Sequence, residues 1–220
     1  MKKIFTPGCT LMLHKPKLAA KMKKWLDKEL SGVDENLVCC HHEPKLPPDT
    51  QVITVCSGCD KRYRTLYASI TVISFWEVLS RSRNFPFPDY HGQEMTILDS
   101  CPARDQARIH DAVRNLLARM NIRIVEPAST RDKSTCCGDN LYGTAPSGKI
   151  KACMTKRAQE MPVQDVVVYC ASCLKAMHIG GKTPRHMVDL IFGETSPAGV
   201  FEPDKWHAEV DRFREAHRLV

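Results

Sequence analysis

The chain has 220 residues, 43% of them hydrophobic, which is enough to bury a sizeable core without covalent staples and argues against a small secreted disulfide scaffold. No apolar run reaches the ~18 residues of a membrane span, and Thr6, Pro7 and Gly8 interrupt the start where a secretory leader needs an unbroken apolar stretch, so a cytoplasmic protein without direct membrane insertion is expected. Lys+Arg outnumber Asp+Glu by 32 to 25, a net charge of +7, yet aromatics are only 7% and do not interleave with the basic residues, so the chain offers no stacking platform for nucleic acid.

In chain order, residues 3–6 are predicted as a short strand leading into Cys9, and Pro16 opens a helix in which Leu18, Met22, Trp25, Leu26 and Leu30 recur at three- and four-residue steps. That spacing turns one apolar face inward and leaves Lys15, Lys17, Lys21, Lys23, Lys24 and Lys28 on a basic face, either simply solvated or able to dock an acidic redox partner. A loop carrying Cys39 and Cys40 follows. The β-branched run 51–55 reads as a buried strand that delivers Cys56-Ser57-Gly58-Cys59 at its C-terminal end, ahead of a helix over 60–67. Trp76 lies in an apolar run and is a core candidate. The stretch 81–92, with Pro86 and Pro88 and no periodicity, is the expected boundary, unless its aromatics lie across the surface between halves.

The order then repeats. Residues 95–99 form a strand before Cys101, and Ile109, Ala112, Val113, Leu116, Leu117 and Met120 make the apolar stripe of the next helix. A strand over 122–125, a Cys136-Cys137-Gly138 loop, a helix over 149–160 and a strand over 165–169 lead into Cys170-Ala171-Ser172-Cys173. A loop after Glu194 precedes an amphipathic helix over 203–219 carrying Trp206, Val210 and Phe213. This alternation predicts an α/β fold of two pseudo-repeated halves, residues 1–90 and 91–194, each with a parallel Rossmann-like sheet, followed by a terminal loop and helix over 195–220. Ligands of such sheets gather at strand carboxyl ends, where Cys9, Cys56, Cys101 and Cys170 all fall.

Ten of the eleven cysteines fit one pattern used twice. Cys9, Cys39, Cys40, Cys56 and Cys59 read Cys-x29-Cys-Cys-x15-Cys-x-x-Cys, and Cys101, Cys136, Cys137, Cys170 and Cys173 read Cys-x34-Cys-Cys-x32-Cys-x-x-Cys, with Gly138 directly after the second pair. Thiolate suits iron-sulfur clusters, zinc and copper(I), and five thiolates exceed the four of a tetrahedral zinc site. Adjacent side chains on extended backbone point opposite ways, so a Cys-Cys pair grips one small ion poorly and different irons of a larger group better. Cys153 is left over and reads as a small buried hydrophobe. His14 and Arg104 are candidates for an anionic substrate, and His178 and His186 for hydrogen bonds to sulfur.

The second set, with Cys136-Cys137-Gly138, Cys170-Ala171-Ser172-Cys173 and the following Val188-Asp189-Leu190-Ile191, resembles the cysteine-rich CCG-domain family, found twice in one of the subunits of heterodisulfide reductase; Cys56-Ser57-Gly58-Cys59 extends the likeness to the first half. The resemblance implies that all ten cysteines are metal ligands of two noncubane [4Fe-4S] clusters. It further implies an iron-sulfur subunit of an anaerobic oxidoreductase acting on a thiol/disulfide couple, with a flavoprotein or ferredoxin-like subunit as electron donor and a disulfide or thiol small molecule bound between the halves. The first set departs from the pattern: its spacer is 15 residues against 32, and His41-His42 replaces the glycine. That site is open to a noncubane cluster, a cubane, zinc aided by His41 or His42, or no metal. Two other readings stand beside this one, a zinc-stabilised structural or partner-binding module with no redox activity and a metal-free dithiol oxidoreductase using Cys56/Cys59 or Cys170/Cys173.

Overall fold

The N-terminal strand β1 (Lys3–Thr6) buries Ile4, Phe5 and Thr6 and pairs in parallel with β2 (Asp34–Glu35) on one side and β3 (Gln51–Thr54) on the other. β4 (Thr71–Ser74) completes a sheet of order β2-β1-β3-β4. The second sheet repeats the topology with β5 (Glu94–Leu98), β6 (Arg123–Ile124), β7 (Asp165–Val168) and β8 (Thr183–His186), in the order β6-β5-β7-β8 and parallel throughout. The computed structural model describes residues 1–37, 40–195 and 201–217, with the backbone alone at Cys40. The expected α/β class with parallel sheets is therefore what forms.

Helices connect the strands. In the first half they are α1 (Cys9–His14), α2 (Pro16–Glu29), α3 (Ser57–Leu66) and α4 (Phe75–Arg81). The second half contributes α5 (Ala107–Arg119), α6 (Ser147–Gln159), α7 (Ala171–Ile179) and α8 (Met187–Phe192), and α9 (Pro203–Ala216) follows. Pro16 takes the first helical position, where its missing N–H costs nothing. The predicted stripe of α5 is buried at Ile109, Ala112, Val113, Leu116 and Leu117. Edge strands β2, β4 and β8 go beyond the predicted elements. β8 reads Thr-Pro-Arg-His and has no strand composition, but an edge position tolerates Pro184 because one side of the strand needs no ladder.

The two halves share one core, in which Phe5, Leu26 and Trp76 join Ile97, Leu116 and Val188. Trp25 meets Phe85 edge-on at 5.7 Å and Phe85 lies 5.8 Å from Phe192, so the aromatics of the 81–92 stretch do lie across the halves. Ion pairs cross the junction in both directions. Lys15 of the first half donates to Asp189 at the start of α8, 2.8 Å away, and Arg108 of α5 pairs with Glu77 at the start of α4. Each carboxylate sits in the first turn of the last helix of its half and takes a cation from the other half, as in an isologous contact. Lys15 is thus no part of a solvated basic face: only 6% exposed, it ties the halves together.

Candidate metal centre

In each sheet the chain leaves the first strand toward one side and returns on the other, so strand order reverses between β1 and β3 and between β5 and β7, and a crevice opens at the carboxyl ends there. Cys9 begins α1, Cys56 precedes α3, Cys101 opens a 3-10 turn after β5, and Cys170 precedes α7. The crevices meet in one cavity of about 330 Å³, lined by Cys9, Cys56, Cys59, Cys101, Cys136, Cys137, Cys170 and Cys173. These are eight of the ten expected cysteines. Cys39 and the Cys40 side chain lie outside the described residues.

Neighbouring thiols perturb one another's acidity, Cys101 with Cys136, Cys136 with Cys137, Cys137 with Cys173, Cys173 with Cys170, Cys170 with Cys56 and Cys56 with Cys59. The proximity of Cys101 and Cys137 lowers the Cys136 thiol, and that of Cys170 and Cys59 lowers Cys56 well below an ordinary thiol, while Cys101 and Cys137 are pushed up beside Cys136. Among the described residues no three His, Cys, Asp or Glu side chains are arranged to hold a single metal ion.

Backbone and buried polar groups position these thiols. Gly8, at φ 90°, lets the chain turn from β1 into Cys9, and a Cβ there would stand 3.5 Å from Cys59 Sγ. Gly138, at φ 102°, has a second reason to lack a side chain: a Cβ would meet Cys153 Cβ at 3.0 Å and the α6 backbone at Met154 N, 3.3 Å. Cys153 is therefore the packing partner of the Cys136-Cys137-Gly138 turn, half-buried in the middle of α6. On the other flank Asp99, 1% exposed, accepts from Arg114 (2.8 Å), Tyr169 OH (2.9 Å) and the Arg131 N–H (2.8 Å), while its carbonyl accepts from Ser134 Oγ (2.6 Å). Burial works to raise the Asp99 carboxyl, and the hydrogen bonds of Arg114 outweigh it and hold the group below the usual range. This network fixes the loop that carries Cys136.

Comparison with known proteins agrees with the second half. Residues 95–178 match the family model of the CCG cysteine-rich domain, a span running from β5 into α7 that contains Cys101, Cys136, Cys137, Cys170 and Cys173. Over residues 95–178 the chain is similar to the CCG cysteine-rich domain. The match does not extend over the first half. No curated protein matches the chain. Among solved structures, the aspartate racemase of Picrophilus torridus aligns over 100% of both chains at 9% identity with a TM-score of 0.37, too loose a superposition to carry any argument.

The cavity beside the CCG-like domain has a wall that the cysteine pattern does not announce. Trp206, His207 and Arg214 of α9 line it. His207 Nε2 donates to Asp139, 3.1 Å away and two residues past Cys137, and its ring stacks on Tyr142 at 3.5 Å. Lys175, a fully buried cation on α7, donates to the same carboxylate at 2.6 Å and sits 3.9 Å from the Trp206 ring centre. Burial favours the neutral Asp139, but the bonds from His207 and Lys175 hold it well below the carboxylate range. From the first half, His14 stacks on Trp206 with centroids 6.2 Å apart, and His42 Nε2 donates to the Arg214 carbonyl at 3.1 Å. The helix thus spans both halves over the thiols.

Other expected residues divide. His14 and His41 line the cavity, the former with a buried Nε2 that has no hydrogen-bond partner among the described residues. His186 lines it too; its Nδ1 accepts the Val188 N–H at 3.2 Å, which leaves the proton on Nε2, and burial holds the ring neutral, down to about 3. Arg104 instead donates to the Ser134 carbonyl, and His178 stacks on Phe201, so neither reaches the cavity. Eight thiols lining one cavity, histidines around them and the CCG-domain match of residues 95–178 fit an iron-sulfur redox-type module. Among the described residues no helix is long and apolar enough to cross a membrane.

Proposed function

We propose that the chain is an iron-sulfur electron-transfer or catalytic subunit of an anaerobic oxidoreductase, akin to the heterodisulfide reductase subunit with two CCG domains and acting on a thiol/disulfide couple. One observation carries the reading: cysteines of both sets line a single cavity at the carboxyl ends of two parallel sheets. A bound iron-sulfur group would supply a one-electron donor and acceptor there. The chain's residues would do the rest. Cys101, Cys136, Cys137, Cys170 and Cys173 would hold a noncubane [4Fe-4S] cluster, and Cys9, Cys39, Cys40, Cys56 and Cys59 the metal of the first half. Trp206, which lines the cavity, would limit water there and so strengthen the electrostatic interactions inside it. His14 Nε2, buried and without a hydrogen-bond partner among the described residues, would bind a small disulfide or thiol at the wall.

We read residues 1–90 and 91–194 as the two units and 195–220 as a C-terminal segment that carries α9; the loop expected after Glu194 falls largely on residues 196–200, outside the described residues. Electrons would come from a flavoprotein or ferredoxin-like subunit in the cytoplasm, drawn to the exposed lysines of α2, Lys17, Lys24 and Lys28. Iron, acid-labile sulfide and zinc per chain, measured on protein purified without oxygen, test this function. Iron and sulfide in equal amounts, with sulfur-to-iron charge-transfer absorption, are expected. Zinc alone would replace this function with that of a structural, redox-silent module.

A further inference from the structure

We infer that His186 donates a hydrogen bond from Nε2 to a sulfur of the iron-sulfur group held at the second cysteine set, and so raises the reduction potential of that group without being a ligand of it; this rests on the iron-sulfur reading above. His186 closes β8, the edge strand beside β7, and its register partner Val168 stands two residues before Cys170. The residue is 4% exposed and lines the thiol cavity. Its Nδ1 accepts the Val188 N–H at 3.2 Å, and an imidazole whose Nδ1 accepts bears its proton on Nε2. That Nε2–H has no hydrogen-bond partner among the described residues. A histidine that ligates a metal through one nitrogen donates from the other. Here the other nitrogen accepts, which removes His186 from the ligand set and leaves it a donor.

The first half shows what this position requires for folding alone. Ser74 ends β4 as His186 ends β8, and its register partner Thr54 stands two residues before Cys56. The Ser74 side chain accepts the Trp76 N–H and caps α4, just as His186 accepts the Val188 N–H and caps α8. Serine is among the preferred caps and histidine is not, so capping does not account for an imidazole at the end of β8. Ser74 has one polar group and uses it in the cap. The ring of His186 adds a second one, with a proton, in a cavity lined by eight cysteines. Sulfur of an iron-sulfur group gains negative charge on reduction, so a donor N–H favours the reduced form, and hydrogen bonds to sulfur are among the factors that set such potentials.

The test is His186→Ser in the full chain purified without oxygen, a change that keeps a cap for α8 and removes the Nε2 donor. Iron and sulfide per chain are expected to stay at the wild-type level. A redox titration followed by electron paramagnetic resonance is expected to show the reduced-to-oxidised ratio at a given potential lowered about tenfold, or about 59 mV for one electron. His178→Ala, which removes a ring that stacks on Phe201 outside the cavity, should titrate as the wild type does. A wild-type potential in His186→Ser, or an equal shift in His178→Ala, would overturn the donor role, and a loss of iron in His186→Ser would overturn it by returning His186 to the ligands. Each of these results leaves the iron-sulfur function standing. Absence of iron and sulfide from the wild-type protein would overturn both. If His186→Ser does not fold, as judged by far-UV circular dichroism, His186→Thr is titrated in its place, since threonine also caps helices.

Discussion

The two halves of this chain have the same strand order and the same placement of cysteines at strand ends, but only the second builds its own support around them. Asp99, Arg114, Tyr169 and Ser134 form a buried network beneath the second set, and α6 packs against Gly138 behind it. At the position before the first cysteine of its set, the first half has Pro7 and Gly8 in place of Asp99 and Ser100, and its 15-residue spacer contains no α-helix. Its cover comes from elsewhere, through the stacking of His14 on Trp206 and the bond from His42 to α9. A repeated ligand pattern can therefore persist while the scaffold around one copy is borrowed from the other half and the C-terminus.

This contrast can be broken deliberately. The largest effect is expected at the cysteines themselves: Cys137→Ser in the buried pair should weaken iron binding by more than about 100-fold, beyond what loss of an outer-shell partner costs, as measured by chelator competition. An intact iron content would remove Cys137 from the ligand set. Asp99→Ala should come next. It leaves the Arg114 guanidinium buried with half its partners, and breaking such a pair costs about 3–5 kcal/mol. At roughly 2–4 °C per kcal/mol for a chain of this size, calorimetry should show a melting temperature lower by on the order of 10 °C. Pro7→Ala, its first-half counterpart, touches no such network and should shift melting far less.

Gly138→Ala sharpens the comparison further. It combines a left-handed backbone, at about 1–2 kcal/mol, with a 3.0 Å approach to Cys153, and it should destabilise the protein measurably in urea titration. Made in a Cys153→Gly background, Gly138→Ala should cost less than in the wild-type background, because the Cβ it would meet is gone; the same cost in both backgrounds would show that strain at φ alone sets it. The smallest effect on stability is expected at the exposed lysines. Lys24→Glu/Lys28→Glu should change unfolding by no more than about 0.5 kcal/mol, yet slow association with an acidic electron donor by ~10-fold at low salt, with the difference vanishing as ionic strength rises. A rate that ignores both charge and salt would place the docking surface elsewhere.

Periodicity placed α2 and α5 and β-branched runs placed β1, β3, β5 and β7, because each of these elements buries a full face and leaves a regular trace in the residue order. The edge strands left none: β2 is two exposed acidic residues and β8 contains Pro184, and both exist because a central strand offers them a partner. The same division holds in the cavity. Cysteine spacing alone marks which residue types gather, since a thiol ligand must be a cysteine and the strand-to-helix turn must follow it. Lys175, Asp139, Trp206 and His207 carry no such signature, because a lysine or tryptophan is as ordinary on a solvated helix as beneath one. Their meeting depends on where α9 lands. The sequence alone determined the ligand chemistry and the α/β repeat, through local periodicity and residue type; only tertiary packing decided that the two cysteine sets face one another under a common helix, since contacts over more than a hundred residues are set by complementary surfaces that no local pattern encodes.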